Sequence, residues 1–267
     1  MIDTHCHLDV AAFDADRDEV IARAGAAGVT GMLIPAIRPR TWAALAALAR
    51  RHAAAGVRFA IGIHPQIVPE LEPDEVGDDG GGGAARGELE ERLARASEGA
   101  IAIGECGLDG GTGERGLQER IFRAHVRVAR AVGKPLVVHV LRAHDAAPRI
   151  LREEGPVAGG VVLHSYSGGA DLVPVYAALG CAFSFAGPVT YPGARRPVEA
   201  ARAVPAELLL AETDAPDQAP ASHRGGRSEP GFLPSVIAGL AAARAADPAE
   251  VAALTAANAA RLFRGWP

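Results

Sequence analysis

Eight short apolar, β-branched runs, each followed by a longer Ala/Leu/Arg stretch of helical period, predict an α/β fold: a (β/α)8 TIM barrel in a single domain over residues 1–267. Two further observations point the same way. At 267 residues the chain has the usual size of one such barrel. Metal-capable side chains also recur at the C-terminal ends of the runs, which is where this fold gathers its active sites. Fewer than eight strands would leave an open, doubly wound sheet.

In chain order, Ile2–His7 is the first expected strand, and Asp16–Ala27 the helix that returns to Thr30–Pro35. Pro39–Ala55 leads to Val57–Ile63, and Gly87–Ser97 to Ala100–Glu105. Glu114–Val132 precedes Leu136–His139, and Ala143–Glu154 precedes Gly160–His164. Ala170–Leu179, Ala182–Phe185, Arg195–Ala203 and Leu208–Glu212 complete the alternation, which the helices Pro234–Ala245 and Pro248–Phe263 follow. Spacings of this kind are the signature of parallel βα units. The run Gly77-Asp78-Asp79-Gly80-Gly81-Gly82-Gly83 reads as a flexible Gly-rich loop over about residues 77–87, too short to separate two domains.

Composition bounds the function. The apolar share is 49% and the charged share 22%, as in a soluble globular protein, while aromatics at 4% leave the core to Ala, Val, Leu and Ile. A net charge of −5 argues against a passive nucleic-acid coat, but bound metal ions would add positive charge that this count omits. Three cysteines, Cys6, Cys106 and Cys181, form no disulfide framework. The opening residues lack the pattern of a signal peptide, and no apolar run is long enough to span a membrane, so a cytoplasmic protein with no membrane partner is expected. A monomer or weak oligomer is the expected state.

The chemistry concentrates at the strand ends. His5 and His7, two apart on a strand, point to one side and form a chelating pair aimed at the barrel mouth, with Cys6 turned toward the helices. His64 follows the third strand, Glu105 ends the fourth, His139 the fifth and His164 the sixth, and Asp214 follows the eighth. A structural reading exists for each alone; the convergence of all on one rim favours a metal centre. Glu105, with two oxygens, can bridge two ions, and Asp214 is placed to ligate one and to orient or deprotonate an attacking water. Lys134, the one lysine, precedes the fifth strand at the opposite end of the barrel, so a lysine-derived bridge is excluded. Asp109 reads as a residue supporting the ligands from behind. Loops after the seventh and eighth strands often hold phosphate in this fold, which makes Arg195, Arg196, His223 and Arg227 candidate substrate contacts alongside His64. His52 and His125 read as surface or packing residues, and His144 as ambiguous.

These segments carry a family resemblance. Asp3-Thr4-His5-Cys6-His7-Leu8-Asp9, Gly62-Ile63-His64-Pro65, Gly104-Glu105-Cys106-Gly107-Leu108-Asp109, Pro135-Leu136-Val137-Val138-His139, His164-Ser165-Tyr166-Ser167-Gly168 and Glu212-Thr213-Asp214-Ala215-Pro216 resemble, in order, the motifs of the TatD-like metal-dependent hydrolases of the amidohydrolase superfamily. Ser184-Phe185-Ala186-Gly187-Pro188-Val189-Thr190 and Arg227-Ser228-Glu229-Pro230 match less closely. The resemblance covers almost the whole chain. It implies two divalent ions (Mg, Mn or Zn), one held by His5, His7, Glu105 and Asp214 and the other by Glu105, His139 and His164. It also implies a DNase of 3′–5′ exonuclease type, with DNA as a transient partner and Asp214 and Glu105 as catalytic groups. The departures are Gly110-Gly111-Thr112-Gly113, where aromatics are usual, Val140, where a small hydroxyl is common, and Ser228 in place of Asn. They spare the ligands and alter expected substrate contacts. Two other readings share the sequence: an amide, ester or aminoacyl-ester hydrolase on the same site, and a non-catalytic subunit of a larger complex.

Overall fold

In the computed structural model, which describes residues 1–77, 87–264 and 266, eight parallel strands run in sequence order around one sheet. They are β1 (Ile2–Asp3), β2 (Gly31–Pro35), β3 (Val57–Ile61), β4 (Ala102–Asp109), β5 (Leu136–Leu141), β6 (Val161–Leu163), β7 (Cys181–Phe185) and β8 (Leu209–Ala211). The helices are α1 (Arg17–Ala26), α2 (Trp42–Arg51), α3 (Pro73–Val76), α4 (Glu88–Ala96), α5 (Arg115–Val132), α6 (Ala147–Glu154), α7 (Val173–Ala177), α8 (Arg195–Ala203), α9 (Leu233–Arg244) and α10 (Pro248–Leu262). Backbone bonds join the eighth unit to the first: Thr4 N–H donates to Ala211 O at 3.2 Å, Asp214 N–H to His5 O at 2.9 Å and His7 N–H to Ala215 O at 2.6 Å. The expected (β/α)8 barrel is therefore the observed fold. The central part of the expected Gly-rich loop, residues 78–86, lies outside the described residues.

The barrel interior is filled by one apolar residue from each strand: Ile2, Leu33, Ala60, Ala102, Val137, Val162, Ala182 and Leu210. Three alanines among eight explain how a chain so poor in aromatics closes its core. Ala259 of α10, with Phe263 and Trp266, packs under this layer and caps its N-terminal end. Side chains alternate along a strand, so in β5, β6 and β8 the residue two beyond the inward apolar one also faces inward. That rule carries Val137 to His139, Val162 to His164 and Leu210 to Glu212 at the opposite mouth. The outer faces pack against the helical ring in a second, larger cluster, where Cys6 and Leu8 lie.

Several expected boundaries needed correction, four of them as follows. β1 stops at Asp3, although Cys6 N–H still donates to Leu33 O of β2 while His5 O and His7 N–H bond across to the segment after β8. β4 runs on to Asp109, paired with β5 past a register shift between Ile103 and Cys106. The expected Pro39–Ala55 helix is two 3-10 turns flanking α2. The helix expected from Ala143 starts at Ala147, after a turn that carries His144.

Candidate metal centre

Glu105 sits wholly buried at the barrel mouth, and its two oxygens face different partners. Oε2 lies 3.0 Å from His5 Nε2 and 3.5 Å from His7 Nε2. Oε1 lies 2.7 Å from His164 Nε2, 2.9 Å from His64 Nε2 and 3.2 Å from His139 Nδ1. Asp214 Oδ1 closes the first side, 3.7 Å from His5 Nε2 and 4.0 Å from His7 Nε2. Residues as far apart in sequence as His5 and Asp214 thus meet at one rim. Two glycines make the approach possible: a Cβ on Gly62 would stand 2.4 Å from Glu105 O, and one on Gly107 2.1 Å from His139 O.

Four carboxylates or amides hold the ligands from behind. Asp109 Oδ2 is 3.3 Å from His139 Nε2 and accepts from Gln66 Nε2 at 2.7 Å. Glu212 Oε1 is 3.4 Å from His164 Nδ1 and accepts from Ser165 N–H at 2.5 Å. Asp3 accepts from His5 N–H at 3.2 Å and from the Thr213 N–H and hydroxyl at 3.0 and 2.5 Å, tying the start of β1 to the end of β8. Gln218 donates to Asp214 Oδ2 and accepts from the Ser165 hydroxyl at 2.8 Å, which leaves Asp214 Oδ1 facing the histidines. His125, buried on α5, accepts from Ile63 N–H at 3.0 Å and donates to Ile121 O at 2.7 Å, fixing the turn before His64.

The electrostatics describe a buried cluster in which imidazoles and carboxylates compete for protons. Burial opposes ionisation of Glu105, but His164, His64 and His5 around it hold its carboxyl well below the usual range. Burial, with His164 beside it, pushes His5 down to about 4. His7 also loses hydration, yet Glu105 and Asp214 lift it to about 9. His164 likewise rises well above an ordinary imidazole, against its burial, because Glu105 and Glu212 flank it. Burial raises Asp214 to about 6. Protons on the imidazoles balance the acids here, and a divalent cation would do the same more compactly. Glu105 Oε2 has no hydrogen-bond partner among the described residues. The donors are nitrogen and oxygen without thiolate, since Cys6 and Cys106 turn to the backbone oxygens of Leu33 and Val137. This set suits a borderline or hard divalent ion. Three groupings have ligand atoms close enough to share an ion: His5, His7 and Glu105; His5, His164 and Asp214; and His64, Glu105 and His139.

A cavity of about 640 Å³ opens above, lined by His7, His64, Glu105, His139, His164 and Asp214 together with apolar side chains such as Ile37, Ile67, Val140 and Pro188. Among the expected substrate contacts, His64 and Arg196 line it. Arg195, His223 and Arg227 do not. Arg227 instead pairs with both oxygens of Asp16 at 2.7 Å and lies over the Phe13 ring, while His223 stacks on Phe232 at 3.7 Å. Arg227 and His223 thus face the start of α1 and the turn before α9 instead of the expected substrate, and Arg195, the first residue of α8, lies outside the cavity lining. His64 is also placed deeper than a substrate contact, against Glu105. Lys134 donates to Ser97 O at the far end of the barrel, away from the centre. Sequence reading passed over Gln66, Gln218 and Glu212. The last carried a signal, standing two residues before Asp214; the glutamines carried none.

Comparison with known proteins agrees with this geometry. The family model described as TatD related DNase matches residues 2–264. An uncharacterized metal-dependent hydrolase of Mycobacterium tuberculosis, TatD, is 35% identical over 100% of this chain and 99% of its own. The 3′-5′ ssDNA/RNA exonuclease TatD of Erwinia billingiae is 32% identical, covering 99% of both chains. The crystal structure of the TatD homologue YjjV from Escherichia coli superposes with a TM-score of 0.87 at 27% identity, covering 98% of this chain and 97% of its own. This chain belongs to the TatD-related DNase family, as one of its metal-dependent hydrolases.

Proposed function

We propose that this chain is a deoxyribonuclease that shortens a DNA strand from its 3′ end, using two divalent ions shared by Glu105. The observation that carries the reading is the division of the Glu105 carboxylate between two donor sets. His5 and His7, with Asp214 beside them, face one oxygen, and His64, His139 and His164 face the other. Ions held there would polarise a phosphodiester and acidify the attacking water.

The chain's own groups supply the rest. Asp214, raised to about 6 by burial and turned inward by Gln218, takes the proton of that water. The water oxygen bonds to phosphorus, the bond from phosphorus to the 3′ oxygen breaks, and that oxygen takes a proton from solvent. Arg196 pairs with phosphate, and the apolar walls limit access of bulk water. The exonuclease name of the Erwinia relative supports the substrate class.

The test is a 5′-labelled single-stranded oligonucleotide incubated with purified protein and Mg, Mn or Zn. Stepwise shortening that stops on chelation is expected. A folded, metal-loaded protein inert on DNA and RNA contradicts the reading. Turnover of small carboxylic esters in that case would favour an ester hydrolase, which the apolar cavity wall could also accommodate.

A further inference from the structure

One wall of the cavity hangs on a hydrogen-bond chain that no metal ligand enters. The Ser167 hydroxyl donates to Val140 O at 2.8 Å, which commits its only proton. His144 Nε2, 3.2 Å from the same Ser167 oxygen, is therefore the donor to it. A neutral imidazole has one N–H, so His144 Nδ1 accepts from the Tyr176 hydroxyl, at 3.0 Å. Burial, and then the nearby Arg196 guanidinium, lower the pKa of His144 and keep the imidazole neutral. The chain links Tyr176 on α7, the turn before α6, the loop after β6 and the residue that follows His139. Tyr166 adds a brace by donating to Gly169 O at 3.0 Å, and Gly168 cannot carry a side chain, because its Cβ would stand 2.4 Å from the Tyr166 hydroxyl. Ser167, Gly168 and Arg196 line the same cavity as the metal centre. The Arg196 guanidinium makes no hydrogen bond or ion pair among the described residues.

We infer that the Tyr176–His144–Ser167 chain positions the wall along which a nucleotide strand lies, with Arg196 taking a backbone phosphate beyond the scissile one. His144 is a positioning residue, setting affinity for a polymeric substrate and leaving the chemical step alone. The inference rests on the nuclease reading. It departs from it in predicting that a small diester, bis(p-nitrophenyl) phosphate, gains nothing from this wall.

Steady-state kinetics on an oligodeoxynucleotide and on that small diester test it. His144→Ala should raise the oligonucleotide KM about tenfold with kcat nearly unchanged, the mark of lost uniform binding. Its kcat/KM on the small diester should stay within about twofold of wild type. His144→Gln, whose amide can donate to Ser167 and accept from Tyr176, should recover most of the lost affinity. Tyr176→Phe, which removes only the hydroxyl, should raise the oligonucleotide KM about threefold, and it serves if His144→Ala does not fold. An unchanged oligonucleotide KM in a folded variant, or equal losses on both substrates, overturns the proposal alone. Wild-type protein that cleaves the small diester and no oligonucleotide overturns the nuclease reading and the proposal together.

Discussion

Position 105 asks a wholly buried carboxylate to remain anionic, and the chain meets that demand with five imidazoles. Replacing it by Gln keeps the shape and removes the charge, so Glu105→Gln should lose activity by a factor of about a hundred or more while remaining folded. His139→Ala should lose a similar factor. Asp109→Asn leaves the imidazole in place without its anionic partner, and should weaken metal affinity about 10–100-fold in a fluorescence or calorimetric titration. Arg227→Ala is expected to leave the oligonucleotide KM unchanged and to lower the melting temperature, because Arg227 braces Asp16 rather than substrate. Of the six candidate ligands, His139 and His164 stand in register with the inward Val137 and Val162, whereas Glu105 follows the register shift in β4 and His5, His7 and Asp214 lie beyond β1 and β8, so their place at the mouth was legible from the motifs rather than from strand register. Arg195 opens α8, and His223 and Arg227 lie in the segment after β8, where no strand period determines direction, so their surroundings emerge only in the fold.

At the scale of elements, the junction between β3 and α5 shows how a helix sets a strand end. His125 holds Ile63 through one ring nitrogen and its own helix through the other. Burial lowers its pKa to about 4, below the ordinary value of 6.5. As pH falls, the unfolded chain takes up this proton first. The contribution is fully present above about pH 6.5 and declines as pH drops toward 4, amounting to about 3 kcal/mol at most. Denaturant titrations at pH 7 and pH 5 should show that decline in wild type and a smaller one in His125→Gln. The helical segments were legible from their apolar period, but their ends were not. Pro39 and Pro65 open 3-10 turns, and the four-residue α3 is too short to show a period. The Ala143–Ala146 turn before α6, which carries His144, reads as helix because alanine favours it; hydrogen bonds from His144 to Tyr176 and Ser167 decide otherwise.

Across the whole molecule, stability and chemistry occupy opposite ends of one barrel. The inner apolar layer is capped from below by Phe263, fully buried and edge-on to Trp266 with ring centroids 5.3 Å apart. Phe263→Ala should cost about 3–5 kcal/mol in denaturant unfolding and leave kcat/KM of the folded fraction unchanged. The barrel itself was legible from eight βα alternations and from ligands falling at strand ends. Its closure was not, because β1 and β8 are so short that backbone bonds beyond their ends, at His5, His7 and Asp214, complete the ring. Those same bonds deliver three candidate ligands to the mouth, so barrel closure and site assembly are one event. The most direct test of the central claim is anomalous diffraction at the manganese edge from crystals grown with Mn²⁺. Two peaks flanking the Glu105 carboxylate are predicted, one toward His5, His7 and Asp214 and the other toward His139 and His164. Density maps with these side chains in place and no anomalous peak beside Glu105 would contradict the account.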